Sequence, residues 1–276
     1  MGITVVFANG TGVGKTSFLT AKMKQIVLTE GRARLRKSID KIEYLNKTRG
    51  KPLSIPNQYP IYSNYEAEFK TGYKKTYSPY RINEYYFGLP KQGKTVMPVL
   101  PYSAIFFHEM DDAYNNHGVP AVAVRSLYNK RRHWNLDIWI ELHRAMSLNI
   151  IIRDIADLII EIRDKKSVKD FAGRTIRTTW TCREFKNWRD VEKYMETGEK
   201  LYVETTFTNE GDIFKCYDCE NCAAEFVPDE GDDFSMLPQE SKVDVHSLPP
   251  EIAKFYQPGK PETPQSNTPI RQGNRK

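Results

Sequence analysis

The stretch GITVVFANGTGVGKTSFLTAKMKQIVLTEG, residues 2–31, constrains the fold more than any other part of the chain. Its opening, "GITVVFA", is a short β-branched run bounded by glycine, as expected of a strand buried on both faces. From Lys15 onward the apolar residues fall at helical spacing, and Gly31 stands where a glycine would end that helix. Between the two lie Asn9, Gly10, Thr11, Gly12, Val13, Gly14, Lys15, Thr16 and Ser17, which fit the phosphate-loop pattern G-x-x-x-x-G-K-[ST] in all but its first glycine. Strand, glycine loop and helix together open an α/β domain.

Each loop position has a physical task. Gly10, Gly12 and Gly14 let the backbone turn its N–H groups toward phosphate oxygens, and the helix N-terminus adds favourable partial charge. Lys15 is placed to reach the β and γ phosphates of ATP, and the Thr16 hydroxyl to ligate Mg²⁺. Asn9 replaces the first glycine, and Asn is among the residues that tolerate left-handed backbone angles. The predicted nucleotide site is therefore Gly10 to Ser17, including Thr11 and Val13.

The rest of the chain predicts an α/β P-loop NTPase fold, a mostly parallel sheet with helices on both faces. "RARLRKSIDKIEYLNKTRG" carries Leu35, Ile39, Ile42 and Leu45 on one helical face. "YPIYSNYEAEF", "AIFFHE", "LDIWIEL" and "LIIEIR" read as strands, "SLNIIIRDIAD" as a helix, and "PAVAVRSLYNKRRHW" as a helix opened by proline. "RTIRTTWTCRE" alternates as a strand covered on one face does, and "FKNWRDVEKYMETG" puts Phe185, Trp188, Val191 and Tyr194 or Met195 on one helical face and stops at Gly198. We place the NTPase core at 1–165, C-terminal strands and a helix completing the same domain at 166–227, and an acidic, then polar, disordered tail at 228–276.

The formal charge of +6 conceals a segregation. Residues 22–51 hold ten Lys or Arg against Glu30, Asp40 and Glu43, whereas residues 204–254 hold thirteen acids against three lysines. The first half is the one suited to meet phosphates, either as a nucleic-acid surface or as a solvated helix face. The tyrosines between 59 and 86, interleaved with Lys70, Lys74, Lys75 and Arg81, suit either stacking on single-stranded DNA or packing in a tyrosine-rich β region. No apolar run approaches the roughly 18 residues of a membrane span, and no signal peptide precedes the loop, so a cytoplasmic location is expected.

A phosphate-loop enzyme also needs a second strand whose end carries a metal-associated acid and usually a neighbouring base. "AIFFHE" is that strand, with His108 at the position of the metal-associated Asp (the Walker B acid) and Glu109 at that of the base. A neutral imidazole brings no negative charge, which leaves Thr16, phosphate oxygens and Asp111 or Asp112 to hold the metal. Cys216, Cys219 and Cys222 form C-x-x-C-x-x-C, and Cys182 could complete a structural Zn²⁺ site; the same spacing also simply stacks three thiols on a helical face.

The pieces "FANGTGVGKT", "PIYSNY", "IFFHEMDDAYNNHG", "RRHWNLDIWIELHR", "IIIRDIADLIIEIR" and "FKCYDCENCAAEF" follow one another over residues 1–226. In this order they resemble the zonula occludens toxin and filamentous-phage assembly ATPase family. The resemblance implies an additional-strand P-loop fold of the FtsK/HerA-like type, as in hexameric DNA-pumping ATPases. It also implies a motor role in phage DNA packaging, particle assembly or DNA translocation. By position it makes Lys15 and Thr16 the phosphate and Mg²⁺ ligands and Glu109 the water-activating acid, and it puts His143 or Glu141 at the place of a polar sensor. It further implies a homo-oligomeric ring in which an arginine reaches the next subunit's nucleotide, with Arg125, Arg131, Arg132, Arg144 and Arg153 as candidates. Many members carry a membrane span after the ATPase domain. A polar tail here implies recruitment by a phage structural or membrane partner protein. Three activities stay open at this level: a DNA-linked motor ATPase, a nucleotide-binding switch or scaffold with little hydrolysis because of His108, and a small-molecule kinase.

Overall fold

The computed structural model describes residues 2–10, 12–48, 55–71, 76–82, 99–111, 128 and 131–217. The expected polar tail, most of the proline-led helix, and the candidates Thr11, Asp112, Arg125, Cys219 and Cys222 lie outside the described residues.

The β-branched run forms β1 (Ile3–Phe7). Ile3, Val5 and Phe7 pack into one core cluster and Val6 into the other, so the strand is covered on both faces and needs no polar positions. β2 (Ile61–Ser63), β5 (Tyr80–Arg81), β6 (Ala104–Phe107), β7 (Asp137–Glu141) and β8 (Leu158–Lys169) join it in a sheet, and β3 (Phe69–Lys70) with β4 (Thr76–Tyr77) makes a separate hairpin. With β9 (Thr175–Phe185) and β10 (Val203–Glu210), the main sheet has eight strands in the order β10-β9-β8-β1-β7-β6-β2-β5. From β8 to β5 neighbours run parallel, whereas β9 and β10 extend the β8 edge antiparallel. This is a mostly parallel α/β sheet that opens on a phosphate loop and carries an antiparallel, β-rich C-terminal extension.

Helix α1 (Lys15–Thr29) covers the face lined by Val6, Phe106 and Ile160. Its Phe18 meets Trp180 and Phe207 edge-on at 5.8 and 5.4 Å, which fastens the antiparallel extension to the phosphate-loop helix. The opposite face takes Ile42 of α2 (Gly31–Thr48), Ile152 of α3 (Ile150–Asp154) and Trp188 and Val191 of α4 (Trp188–Thr197).

Several expectations change. α1 ends where expected, with Glu30 as its C-cap bonding Ile26 O at 2.9 Å, but Gly31 is also the first residue of α2, whose Arg34 N–H bonds Glu30 O at 2.9 Å. Glycine is needed there because a Cβ would stand 2.5 Å from the Tyr59 ring. Asn149 caps the third helix through Ile151 N–H, which shortens the expected "SLNIIIRDIAD" helix to one and a half turns. β8 outruns "LIIEIR" to Lys169, because its polar second half is one arm of a β8–β9 ladder rather than a core strand.

Arg34, within the basic segment, is buried on Glu30, Asp137 and the Tyr102 carbonyl, so it fixes α2 to the start of β7. Arg32, Arg36, Lys37 and Lys47 face solvent. Tyr62, Tyr65, Tyr77 and Tyr80 are buried, with ring pairs Tyr59–Tyr77 at 5.3 Å and Tyr62–Tyr80 at 5.1 Å. These described tyrosines are core, not a platform open to single-stranded DNA. Among the described residues no helix is long and apolar enough to cross a membrane.

Candidate nucleotide-hydrolysis site

Parallel α/β sheets offer ligands the carboxyl ends of their strands, and there the loop from β1 meets the ends of β6 and β7. Gly12 and Gly14 have φ of 80°, which a side chain would resist. Gly14 is the N-cap of α1, and the loop thus delivers Lys15 and Thr16 as the first helical residues with the first N–H groups free for an anion. Val13 packs against the α1-side core, and Gly10 is exposed without a left-handed φ. Ser17 is buried, its hydroxyl donating to Gly14 O at 2.8 Å, so only its backbone N–H is offered to a ligand.

The reason for Asn9 differs from the expected one. Its φ is not positive; its amide donates to Glu161 Oε1 at 3.1 Å. Glu161 is a fully buried acid on β8, held also by Arg163 at 2.9 Å and Arg183 at 3.4 Å. Asn9 anchors the start of the loop to the neighbouring strand, a job glycine cannot do. Glu161 was not legible as part of the site, since a lone acid within "LIIEIR" gives no sign of its partner across the sheet.

His108 follows β6 as expected, but an acid is not missing from the site. Glu141, the last residue of β7, is buried, accepts from Thr16 Oγ1 at 3.2 Å and pairs with His108 Nδ1 at 2.7 Å. The carboxylate expected on β6 is supplied by β7, one strand closer to β1. A lone carboxylate this deep would carry a desolvation cost of several kcal/mol, and Thr16 and His108 between them occupy both of its oxygens. Burial pushes the His108 imidazole down, but the Glu141 and Glu109 carboxylates outweigh it and Lys15 opposes them only weakly, so its pKa is raised.

Glu109 sits at a left-handed φ of 52°, half-exposed, with Oε1 3.5 Å from His108 Nε2 and 3.3 Å from His143 Nε2. The two histidines thus meet on the expected base. His143 itself is exposed on the loop after β7. Two residues set this geometry. Asn64, after β2, clamps the His108 backbone in both directions, accepting from its N–H at 2.8 Å and donating to its carbonyl at 2.9 Å. Asp111 accepts from His143 N–H at 2.7 Å and from the Ser147 hydroxyl, so it ties the β6 and β7 loops together. "PIYSNY" carried Asn64 in plain view; only the adjacency of β2 and β6 reveals its use.

The raised His108 pKa fixes a pH dependence. A protonated His108 contributes stability that is complete below the unfolded value of about 6.5 and is lost as pH rises through its higher folded value. The melting temperature of the wild type is therefore expected to fall over that interval relative to His108→Gln. Parallel profiles for the two proteins would remove the coupling.

Of the arginine candidates, Arg131 is buried on Asp157 at 2.6 Å and Arg153 is buried beside Trp188 and Glu192, so neither is free to reach another subunit. Arg132 and Arg144 are exposed. Cys182 is buried on β9, where burial pushes its thiol up to about 12. Cys216 donates to Asp212 O at 3.6 Å. Among the described residues no group of three or more His, Cys, Asp or Glu is arranged to hold a metal ion.

No family model matches the chain, and no curated protein matches it. Solved structures to which the chain is similar include the N-terminal domain of zonular occludens toxin from Neisseria meningitidis, at 14% identity over 79% of this chain and 100% of that one, TM-score 0.41. The genome packaging NTPase from Sulfolobus turreted icosahedral virus 2 in complex with AMPPCP is similar at 16% identity over 62% of this chain and 77% of that one, TM-score 0.33. The DNA-packaging ATPase from Sulfolobus Turreted Icosahedral Virus is similar at 11% identity over 78% and 94%, TM-score 0.31.

Proposed function

We propose that the chain is an ATPase, the nucleotide-hydrolysing subunit of a ring-shaped motor that packages or translocates phage DNA or assembles the particle in the host cytoplasm. The observation that carries the hydrolytic part is the convergence of Thr16, Glu141, His108 and Glu109 at the mouth of the phosphate loop. Lys15 and the N–H groups of the first α1 turn bind the phosphates. Glu109, beside this cradle, accepts a proton from the attacking water, and His143 and His108 hold its carboxylate in place. Thr16 and Glu141 present the oxygen donors that suit a hard divalent cation, completed by phosphate oxygens. Mg²⁺ bound there would offset the charge developing on the transferred phosphate.

The motor reading draws its support from the family resemblance of the sequence and from exposed basic residues on α2 that suit a phosphate backbone. A second reading is favoured by His108 itself: a protonated imidazole occupying Glu141 leaves a nucleotide-binding switch with slow turnover. Lys15→Ala is expected to abolish ATP binding in equilibrium titration, and DNA is expected to raise phosphate release by the wild type. Tight ATP binding with no phosphate release, with or without DNA, selects the switch.

A further inference from the structure

The γ-phosphate end of the site lies over β6 and β7, where Glu109, His108 and Glu141 gather. In the sheet β8 flanks β1 on the other side. A nucleotide laid along the loop with its terminal phosphate at Glu109 must therefore carry its nucleoside toward β8 and whatever stands above it.

Two residues stand there that the hydrolytic chemistry does not use. β8 follows β1 in register as far as Phe7 opposite Glu161 and runs on past it, with a register shift against β9 between Ile162 and Asp164. Lys165 then lays its stem on the N-cap of α1: a Cβ on Gly14 would stand 2.6 Å from Lys165 Cδ and 3.2 Å from Nζ. The same point is 2.7 Å from Ser17 Oγ, so Lys165 lies against the first turn of α1. Lys165 Nζ lies 5.1 Å from the centre of the Phe214 ring. No carboxylate among the described residues pairs with it, since Asp164 lies with Lys166, Asp212 with Lys215 and Glu161 with Arg163 and Arg183. Phe214 is 37% exposed, whereas Ile213 beside it is fully buried and Asp212 accepts from Phe214 N–H at 3.2 Å. The ring is thus an apolar face presented to solvent from a fixed turn.

We propose that Lys165 and Phe214 form the nucleoside end of the nucleotide site, Lys165 meeting the α-phosphate and Phe214 stacking on the base. This rests on the nucleotide-binding reading above. A phenyl face reads a base by its π surface and not by its hydrogen-bonding edge, so the site takes nucleoside triphosphates with little choice between adenine and guanine.

Equilibrium titration of the full chain with ATP, GTP and inorganic triphosphate tests this. Phe214→Ala is expected to weaken ATP and GTP by about tenfold and to leave inorganic triphosphate unchanged, while Phe214→Tyr, which keeps the ring, binds all three as the wild type does. Lys165→Met is expected to weaken all three ligands by about tenfold. ATP affinity unchanged in both Phe214→Ala and Lys165→Met, with binding still lost in Lys15→Ala, overturns the inference and leaves the nucleotide site standing. A wild type that binds none of the ligands overturns both. A preference for ATP over GTP greater than about a hundredfold overturns base capture by stacking alone.

Discussion

Glu109→Gln lowers steady-state phosphate release from ATP by about 10²–10⁴-fold and leaves ATP binding intact. The amide keeps the size of the side chain and its reach to His108 and His143, at 3.5 and 3.3 Å, but it cannot take a proton from water. Its left-handed φ of 52° shows that the position is held by its surroundings, and Asn64 supplies part of that hold through the preceding residue. Phosphate release and equilibrium ATP binding measured on the same preparation separate the two effects. Equal loss of binding and release would make Glu109 a ligand of the nucleotide, and unchanged release would remove it from the chemistry.

Glu141→Gln raises the Mg²⁺ concentration needed for half-maximal phosphate release by about 10–100-fold. In the wild type one carboxylate serves Thr16 and His108 together, and it is the only acid among the described residues that bonds the Thr16 hydroxyl. The neutral amide still accepts from Thr16, so the loop keeps its shape while the charge is lost. It also removes the main force raising the His108 pKa and leaves Glu109 alone to oppose burial. Adding His108→Asp to this variant returns an acid to β6 and is expected to recover part of the lost Mg²⁺ response. A magnesium titration of phosphate release measures both. An Mg²⁺ response identical to that of the wild type would mean that Glu141 is only the packing partner of His108.

The phosphate loop and the parallel core were legible because each signal is local. Ile3 to Phe7 can be covered on both faces only as a central strand, and Gly12 and Gly14 mark the left-handed turns that no side chain relieves. The acid at Thr16 was not legible in the same way. Strand order decides which strand end faces the loop, and β7 lies between β1 and β6, so Glu141 and His108 share one position in space although they are 33 residues apart. Sequence spacing around Glu109 points to β6 alone. Asn9 was misread for a related reason: its residue type suggested backbone tolerance, but its side chain answers to Glu161, 152 residues away. Spacing is also silent on burial: Cys182 lies in the α1-side core with Trp180 and Ile162.

The proposed hydrolysis, with Glu141 of β7 as the acid beside Thr16, is measured most directly as Mg²⁺-dependent phosphate release from ATP, comparing the full chain with Lys15→Ala and Glu141→Gln. The expected result is release by the wild type above background and dependent on Mg²⁺, none from Lys15→Ala, and release from Glu141→Gln only at greatly raised Mg²⁺. ATP bound by the wild type with phosphate release at background would contradict it, and would leave the His108–Glu141 pair as the lock of a nucleotide switch.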